Sequence, residues 1–169
     1  LIAVSGGVDS SLLLAIAAEN SESVVHAATV KSIAHPPWEL ERAVRLAAQF
    51  GVPHHIIPID ELADPLIREN GPRRCYYCKR ERYIRILKLR KDLDLHVACD
   101  GSNADDRFEE RPGLAAIQEL GIRTPLAEAG LTKAVIRALA RRMRLEMWDS
   151  PATACLFTRI PTGEPLEES

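Results

Sequence analysis

The sequence predicts an α/β fold: a doubly wound parallel sheet with helices on both faces. Three observations carry that prediction. Short β-rich segments alternate with helical stretches along the 169 residues, the pattern of parallel sheets built from β-α-β units. The first segment runs directly into Ser5-Gly6-Gly7, a glycine turn that opens a helix. Polar loops rich in functional side chains follow the first and fourth β segments, and ligands bind at the carboxyl ends of strands in such folds.

The elements follow in order. Residues 1–4 are a short apolar run, read as a buried strand. They carry no basic leader or cleavage pattern, so we expect a strand whose upstream flank lies outside this sequence, within a longer gene product. Residues 10–18 are apolar with good helix formers. Residues 23–30 are β-rich and form the second strand. Pro36-Pro37 sits where proline is tolerated, at a helix start. Leu40, Ala43, Val44, Ala47 and Ala48 then recur at helical spacing up to Gly51. Residues 54–59 are the third strand and 61–69 a short helix. Residues 76–93 form a longer basic helix with Tyr83, Ile84, Ile86 and Leu87 toward the core. Residues 95–99 are the fourth strand. Helices follow at 112–120 and 131–144, the second with Thr132 as a cap, and residues 146–148 read as a fifth strand. Residues 149–169 are an ordered loop and tail.

Bulk properties exclude some functions. The length suits one domain with a real core. Lys and Arg total 22 against 24 Asp and Glu, a net charge of −2, so no global basic surface points to nucleic acid. No apolar run approaches the roughly 20 residues of a membrane helix. Four cysteines, without a secretory signal, point to metal or redox chemistry in a cytoplasmic protein.

The string Ser5-Gly6-Gly7-Val8-Asp9-Ser10-Ser11 lies between a strand and a helix. Glycines let backbone approach an anion, and the helix presents unpaired N–H groups and its positive dipole end. The serines add donors, and Asp9 is suited to hold Mg²⁺ bridging phosphate oxygens. The plainer reading is a tight turn with a serine cap. No Gly-Lys-Ser/Thr occurs, so this is not a Walker-type loop. The string resembles the PP-loop ATP pyrophosphatases, whose fold is of the adenine nucleotide alpha hydrolase type. That resemblance implies cleavage of ATP between the α and β phosphates and an adenylated substrate. By analogy the base sits at the ends of the first two strands, near Ala3 and Thr29.

Cys75 and Cys78 begin the basic helix beside Arg73, Arg74 and Lys79, a setting expected to favour thiolates. Cys155 lies far along the chain. Three thiolates suit three irons of a 4Fe–4S cluster with one iron open, three with water suit zinc, and surface or redox thiols fit the same spacing. Cys99 reads as a small core residue.

Further strings narrow the reading: Arg74-Cys75-Tyr76-Tyr77-Cys78-Lys79, the run from Asp100-Gly101 to Asp105-Asp106, Arg111-Pro112-Gly113, the run from Glu119-Leu120 to Pro125-Leu126, the run from Glu128-Ala129 to Thr132-Lys133, Trp148-Asp149-Ser150-Pro151-Ala152 and Ala154-Cys155-Leu156. With the phosphate loop they resemble the LarE family of ATP-dependent sulfur transferases. The resemblance implies adenylation of the carboxylates of pyridinium-3,5-biscarboxylic acid mononucleotide and their conversion to thiocarboxylates, a step toward the nickel-pincer nucleotide of lactate racemase. In one branch a single cysteine yields its own sulfur. In another, three cysteines carry a 4Fe–4S cluster that relays sulfide, and Cys75, Cys78 and Cys155 match that set.

The same resemblance makes Cys155, Asp9 and Arg159 the catalytic residues, and adds Gly101 and Arg123 to the nucleotide-binding set of Ala3, Thr29 and residues 5–11. It implies ATP and Mg²⁺ as cofactors, sulfide or another sulfur donor as partner, and a homo-oligomer. It divides the chain into a PP-loop domain at 1–149 and, at 150–169, a cysteine loop that begins a C-terminal region longer in the family. Phe157 and Thr158 depart from the small residues and serine common in that loop.

For the remaining residues, Asp105 and Asp106 suit either Mg²⁺ or turn capping. Lys133 suits pyrophosphate or substrate phosphate, or a solvated surface position. Trp38, Trp148, His54 and His55 read as structural. Two rival functions fit parts of the pattern: a PP-loop tRNA thiolation enzyme, and a non-catalytic zinc- or nucleotide-binding module.

Overall fold

The structure, a computed structural model, describes residues 1–108 and 112–167. Its central sheet holds β1 (Ile2–Ala3), β2 (Ala27–Lys31) and β3 (His54–Pro58), all parallel. Two single-residue bridges extend it beyond β1, pairing Ile2 with Cys99 and Cys99 with Arg123, also parallel. Across the sheet the order is therefore β3, β2, β1, the Cys99 segment, the Arg123 segment. Chain order reverses between β1 and Cys99, which makes the switch point of a doubly wound sheet.

The helices are α1 (Val8–Asn20), α2 (Pro37–Gln49), α3 (Pro65–Arg68), α4 (Arg74–Asp92), α5 (Pro112–Glu119), α6 (Pro125–Glu128) and α7 (Lys133–Arg142). Successive strand residues point to opposite faces, so each face has its own core. Ile2, Val4 and Ala27 pack with Leu12, Leu14, Leu46, Ile136 and Met147 on one side. Leu1 and Ala28 pack with Tyr83, Ile86, Ile117 and Ile122 on the other. α1 buries seven of residues 8–15, including Leu12 and Leu14 with no exposed surface. Burying each such leucine contributes roughly 1.5–3 kcal/mol. The helix behind the glycine loop is thus held on all sides. A third cluster, Ala34, Ile67, Cys78, Phe157 and Leu166, docks the tail onto α3 and α4.

Four expectations change. The 95–99 strand is reduced to its Cys99 bridge: Val97 O and Cys99 bond Leu1 and Ala3, while the carbonyls of Leu95 and His96 accept from Arg90 Nη1. Residues 146–148 form turns after α7, with Trp148 N bonded to Leu145 O, and Arg123 takes the fifth sheet position. The 61–69 helix divides at Asp64-Pro65 into a 3₁₀ turn and α3, since the residue before proline avoids helical backbone. Ile84 is exposed on α4 rather than facing the core.

Candidate nucleotide and thiol site

The glycine loop leaves β1 at the switch point. Gly6 has φ of +80°, and a Cβ there would overlap the carbonyl oxygen of Glu39 in the first turn of α2. Only glycine satisfies both constraints. Ser10 Oγ accepts from Ser5 N at 3.1 Å and donates to Gly7 O at 3.3 Å, while Ser5 Oγ lies 3.2 Å from Ser10 Oγ. Gly7 is the N-cap of α1 without a side-chain cap, so the serine-capped turn is not what forms. Val8 faces the core and presents backbone only.

Two buried polar atoms in this loop, Asp9 Oδ1 and Ser11 Oγ, have no hydrogen-bond partner among the described residues. Leaving such atoms unsatisfied costs roughly 1–3 kcal/mol each. A carboxylate oxygen and a hydroxyl at a helix N-terminus are hard donors of the kind that hold Mg²⁺ and a phosphate oxygen. These residues therefore fit ATP with Mg²⁺.

Asp9 Oδ2 pairs with Lys133 Nζ at the start of α7. Burial pushes the Asp9 carboxyl above its ordinary value, and the Lys133 hydrogen bond and charge pull it partly back. Asp105 Oδ2 accepts from Lys133 N at 2.8 Å, and Asp106 Oδ2 accepts from Asn103 N at 2.9 Å. Both aspartates accept bonds that hold the turn and the α7 start, and the charge of Asp106 also acts on Asp9. Thr132 caps α7 as expected, accepting from Val135 N.

Gly101 lies against α1 itself: a Cβ there would stand 2.7 Å from Ser10 N and Cα. Its place in the site is close packing on the phosphate loop. The neighbouring Asp100 is an anchor. It accepts from Ser102 N at 2.7 Å, from Ser102 Oγ and Tyr83 OH, and pairs with Lys79 Nζ at 3.3 Å. Burial works to raise its carboxyl, but Lys79 and these hydrogen bonds outweigh it and hold the group below its ordinary value. α4 is thereby tied to the loop that touches Ser10.

The thiols depart from expectation. Cys78 is buried, its Sγ donates to Glu61 Oε1 at 3.6 Å, and burial pushes its pKa up to about 12. Of the basic neighbours, Arg73 stacks over Tyr76 and Tyr77 and Lys79 pairs with Asp100, while Arg74 Nη2 reaches Cys75 Sγ at 3.4 Å. Glu61 has no exposed surface and is held by Arg82, which also donates to His35 Nε2 at 2.6 Å. Since arginine only donates, His35 must carry its proton on Nδ1 and donate it to Glu39. Cys155 packs beside the Cys78 cluster, half-buried, while Cys75 is exposed. Among the described residues no three His, Cys, Asp or Glu side chains stand together to hold a metal. As arranged, the three cysteines do not fit a 4Fe–4S cluster.

The other expected residues are placed as follows. Thr29 Oγ1 donates to Val4 O at 2.6 Å and is buried against His54. Ala3 is half-buried in β1. Arg123 has an exposed side chain paired with Glu128, and that pair raises its pKa. Arg159 is exposed at the end of the 3₁₀ turn after Cys155. Trp148 packs on the first core under Arg141, as a structural residue should. Trp38 is 51% exposed in the first turn of α2, which overturns its structural reading. Arg111 lies outside the described residues. Sequence reading missed Glu61 and Asn70. The only cue for Asn70 was Asn70-Gly71, a turn signal matching its φ of +53°.

Residues 2–69 match the asparagine synthase family. The structure of NMN synthetase from Francisella tularensis superposes with a TM-score of 0.69, covering 91% of this chain and 66% of that one at 16% identity, which speaks to the fold. Pyridinium-3,5-bisthiocarboxylic acid mononucleotide synthase of Lactiplantibacillus plantarum is 32% identical over 98% of this chain. The fold is that of the adenine nucleotide alpha hydrolases, and over nearly its whole length the sequence is similar to LarE. An uncharacterised protein of Synechocystis sp. is 38% identical, again over 98% of the chain. The chain spans 62% of the length of the Synechocystis protein and 60% of that of the Lactiplantibacillus plantarum synthase. No helix among the described residues is long and apolar enough to cross a membrane.

Proposed function

We propose that this PP-loop chain belongs to a cytoplasmic enzyme that uses ATP to activate a carboxylate of a pyridinium mononucleotide and then replaces AMP with sulfur. The observation that carries it is the pair of unsatisfied buried atoms, Asp9 Oδ1 and Ser11 Oγ, where α1 begins at the switch point. The LarE similarity over nearly the whole chain supports the substrate class.

In the first step a substrate carboxylate oxygen attacks the α phosphorus. The bond from that phosphorus to the bridging oxygen breaks, and pyrophosphate leaves. Residues 5–11 hold the phosphates through backbone N–H groups and the Ser11 hydroxyl. Mg²⁺ held at Asp9 would neutralise phosphate charge. Lys133, one-third exposed beside Asp9, is placed to turn from the carboxylate onto a departing oxygen, a positioned charge of the kind that lowers such barriers. In the second step the Cys155 thiolate attacks the acyl carbon and the bond to the AMP oxygen breaks, and hydrosulfide from the donor then opens the resulting thioester, freeing the thiocarboxylate and restoring the Cys155 thiolate. Arg159, exposed near Cys155, is proposed to hold the substrate phosphate. Assembly as a homo-oligomer and supply of sulfur by a separate donor belong to the same reading.

The test measures pyrophosphate and AMP from the full-length protein with pyridinium-3,5-biscarboxylic acid mononucleotide, ATP and Mg²⁺. Pyrophosphate release dependent on that substrate is expected. Cys155→Ser should keep the release and abolish thiocarboxylate. Release dependent on tRNA instead would move the assignment to tRNA thiolation, and no release with either would leave a binding module.

A further inference from the structure

Cys155 lies in a tail with little regular structure, yet three observations show that tail held in one place. Asn70, almost fully buried, donates Nδ2 to Pro161 O and Glu164 O, both at 2.9 Å, and its own carbonyl accepts from Gly163 N at 2.9 Å. Arg74, also buried, gives Nη1 to Asn70 Oδ1 at 2.6 Å and to Phe157 O at 2.9 Å. Its Nη2 reaches Cys75 Sγ at 3.4 Å. One guanidinium therefore joins the turn after Cys155, the tail clasp at Asn70 and the first thiol of α4. Directly after Cys155, Leu156 N bonds Ala34 O at 2.9 Å.

A buried guanidinium spent on neutral oxygens is costly to maintain unless its geometry is needed. The tail could be packed by Phe157 and Leu166 alone, both already in the third cluster. Arg74 adds direction: it fixes the carbonyl two residues past Cys155 against the first turn of α4. The same helix, at Lys79 and Tyr83, holds Asp100 beside the loop that touches Ser10.

We propose that Arg74, with Asn70, is a positioning residue that registers Cys155 against the adenylation site. It acts on sulfur transfer and not on ATP cleavage. This rests on the function proposed above. In a two-step reaction, misplacing the second nucleophile lets the activated acyl group hydrolyse, so the carboxylate is regenerated and ATP is consumed without product. The residue's signature is therefore the ratio of thiocarboxylate to pyrophosphate, which a merely stabilising residue would not move.

The test uses full-length protein with pyridinium-3,5-biscarboxylic acid mononucleotide, ATP, Mg²⁺ and sulfide. Arg74→Met should release pyrophosphate near the wild-type rate while thiocarboxylate per pyrophosphate falls by up to about a hundredfold, the scale of an ångström misplacement. Arg74→Lys should restore part of the ratio. An unchanged ratio in Arg74→Met overturns the proposal. If Arg74→Met does not fold, Asn70→Asp tests the same clasp: aspartate tolerates the positive φ but lacks the amide donors to the tail, and an unchanged ratio there overturns it equally. If the wild type releases no pyrophosphate with this substrate, the functional reading fails by itself. Iodoacetamide labelling then judges the clasp: Cys155 should label faster in the variant while Cys99 does not change, and equal Cys155 rates refute it.

Discussion

Asp9 shows how a single residue divides stability from function. Its carboxyl is raised chiefly by burial, so holding it ionised near neutral pH opposes folding. Such a group's contribution is most favourable below its unfolded pKa and is lost as pH rises through the folded value. Asp9→Asn removes that burden. Lys133, one-third exposed, then returns to water at small cost, because partly exposed pairs are weak. The expected outcome is a melting temperature equal to or above the wild type, with substrate-dependent pyrophosphate release reduced by about a hundredfold or more. Differential scanning fluorimetry and a pyrophosphate assay on one preparation decide it. A lower melting temperature would show that the Asp9–Lys133 pair is a stabilising bridge.

At the scale of elements, α4 carries the load between the two halves of the site. Tyr83 OH donates to Asp100, whose carboxyl is held below its ordinary value despite burial. A lowered carboxyl contributes stability that is present above its unfolded pKa and lost as pH falls through the folded one. Tyr83→Phe removes one donor to this buried charge, so it should cost roughly 1–3 kcal/mol and move the acid-unfolding midpoint to higher pH. Urea titrations at pH 7 and an acid titration followed by circular dichroism measure both. Most elements here were legible in the sequence, because their signals are local: the glycine loop, Pro36-Pro37 opening α2, and Thr132 capping α7. The sequence misread the fourth strand, where the carbonyls of Leu95 and His96 accept from Arg90 at the end of α4 and not from a neighbouring strand. The site was legible as a set of loops. The burial of Cys78, its bond to Glu61 and the tail clasp at Asn70 each span a separation that no periodicity encodes.

For the whole molecule, the sheet puts its nucleotide loops at one end and a histidine cluster across β2 and β3, so pH bears on folding through groups apart from the phosphate loop. His26 Nδ1 lies 2.9 Å from His55 Nε2 with the rings stacked, and His54 Nε2 meets Thr29 Oγ1 at 2.8 Å. Because the Thr29 hydroxyl is committed to Val4 O, His54 must donate. Burial first, and then the charge of His55, lowers both His26 and His54. A lowered histidine leaves the unfolded chain binding more protons, so stability falls as pH drops through the unfolded value of about 6.5. Wild-type melting temperature should therefore decline between pH 8 and pH 5. His55→Gln removes the shared repulsion from both neighbours and should flatten that decline without altering its direction. A profile as steep as the wild type's would show that burial of His26 and His54, and not the charge of His55, sets the slope.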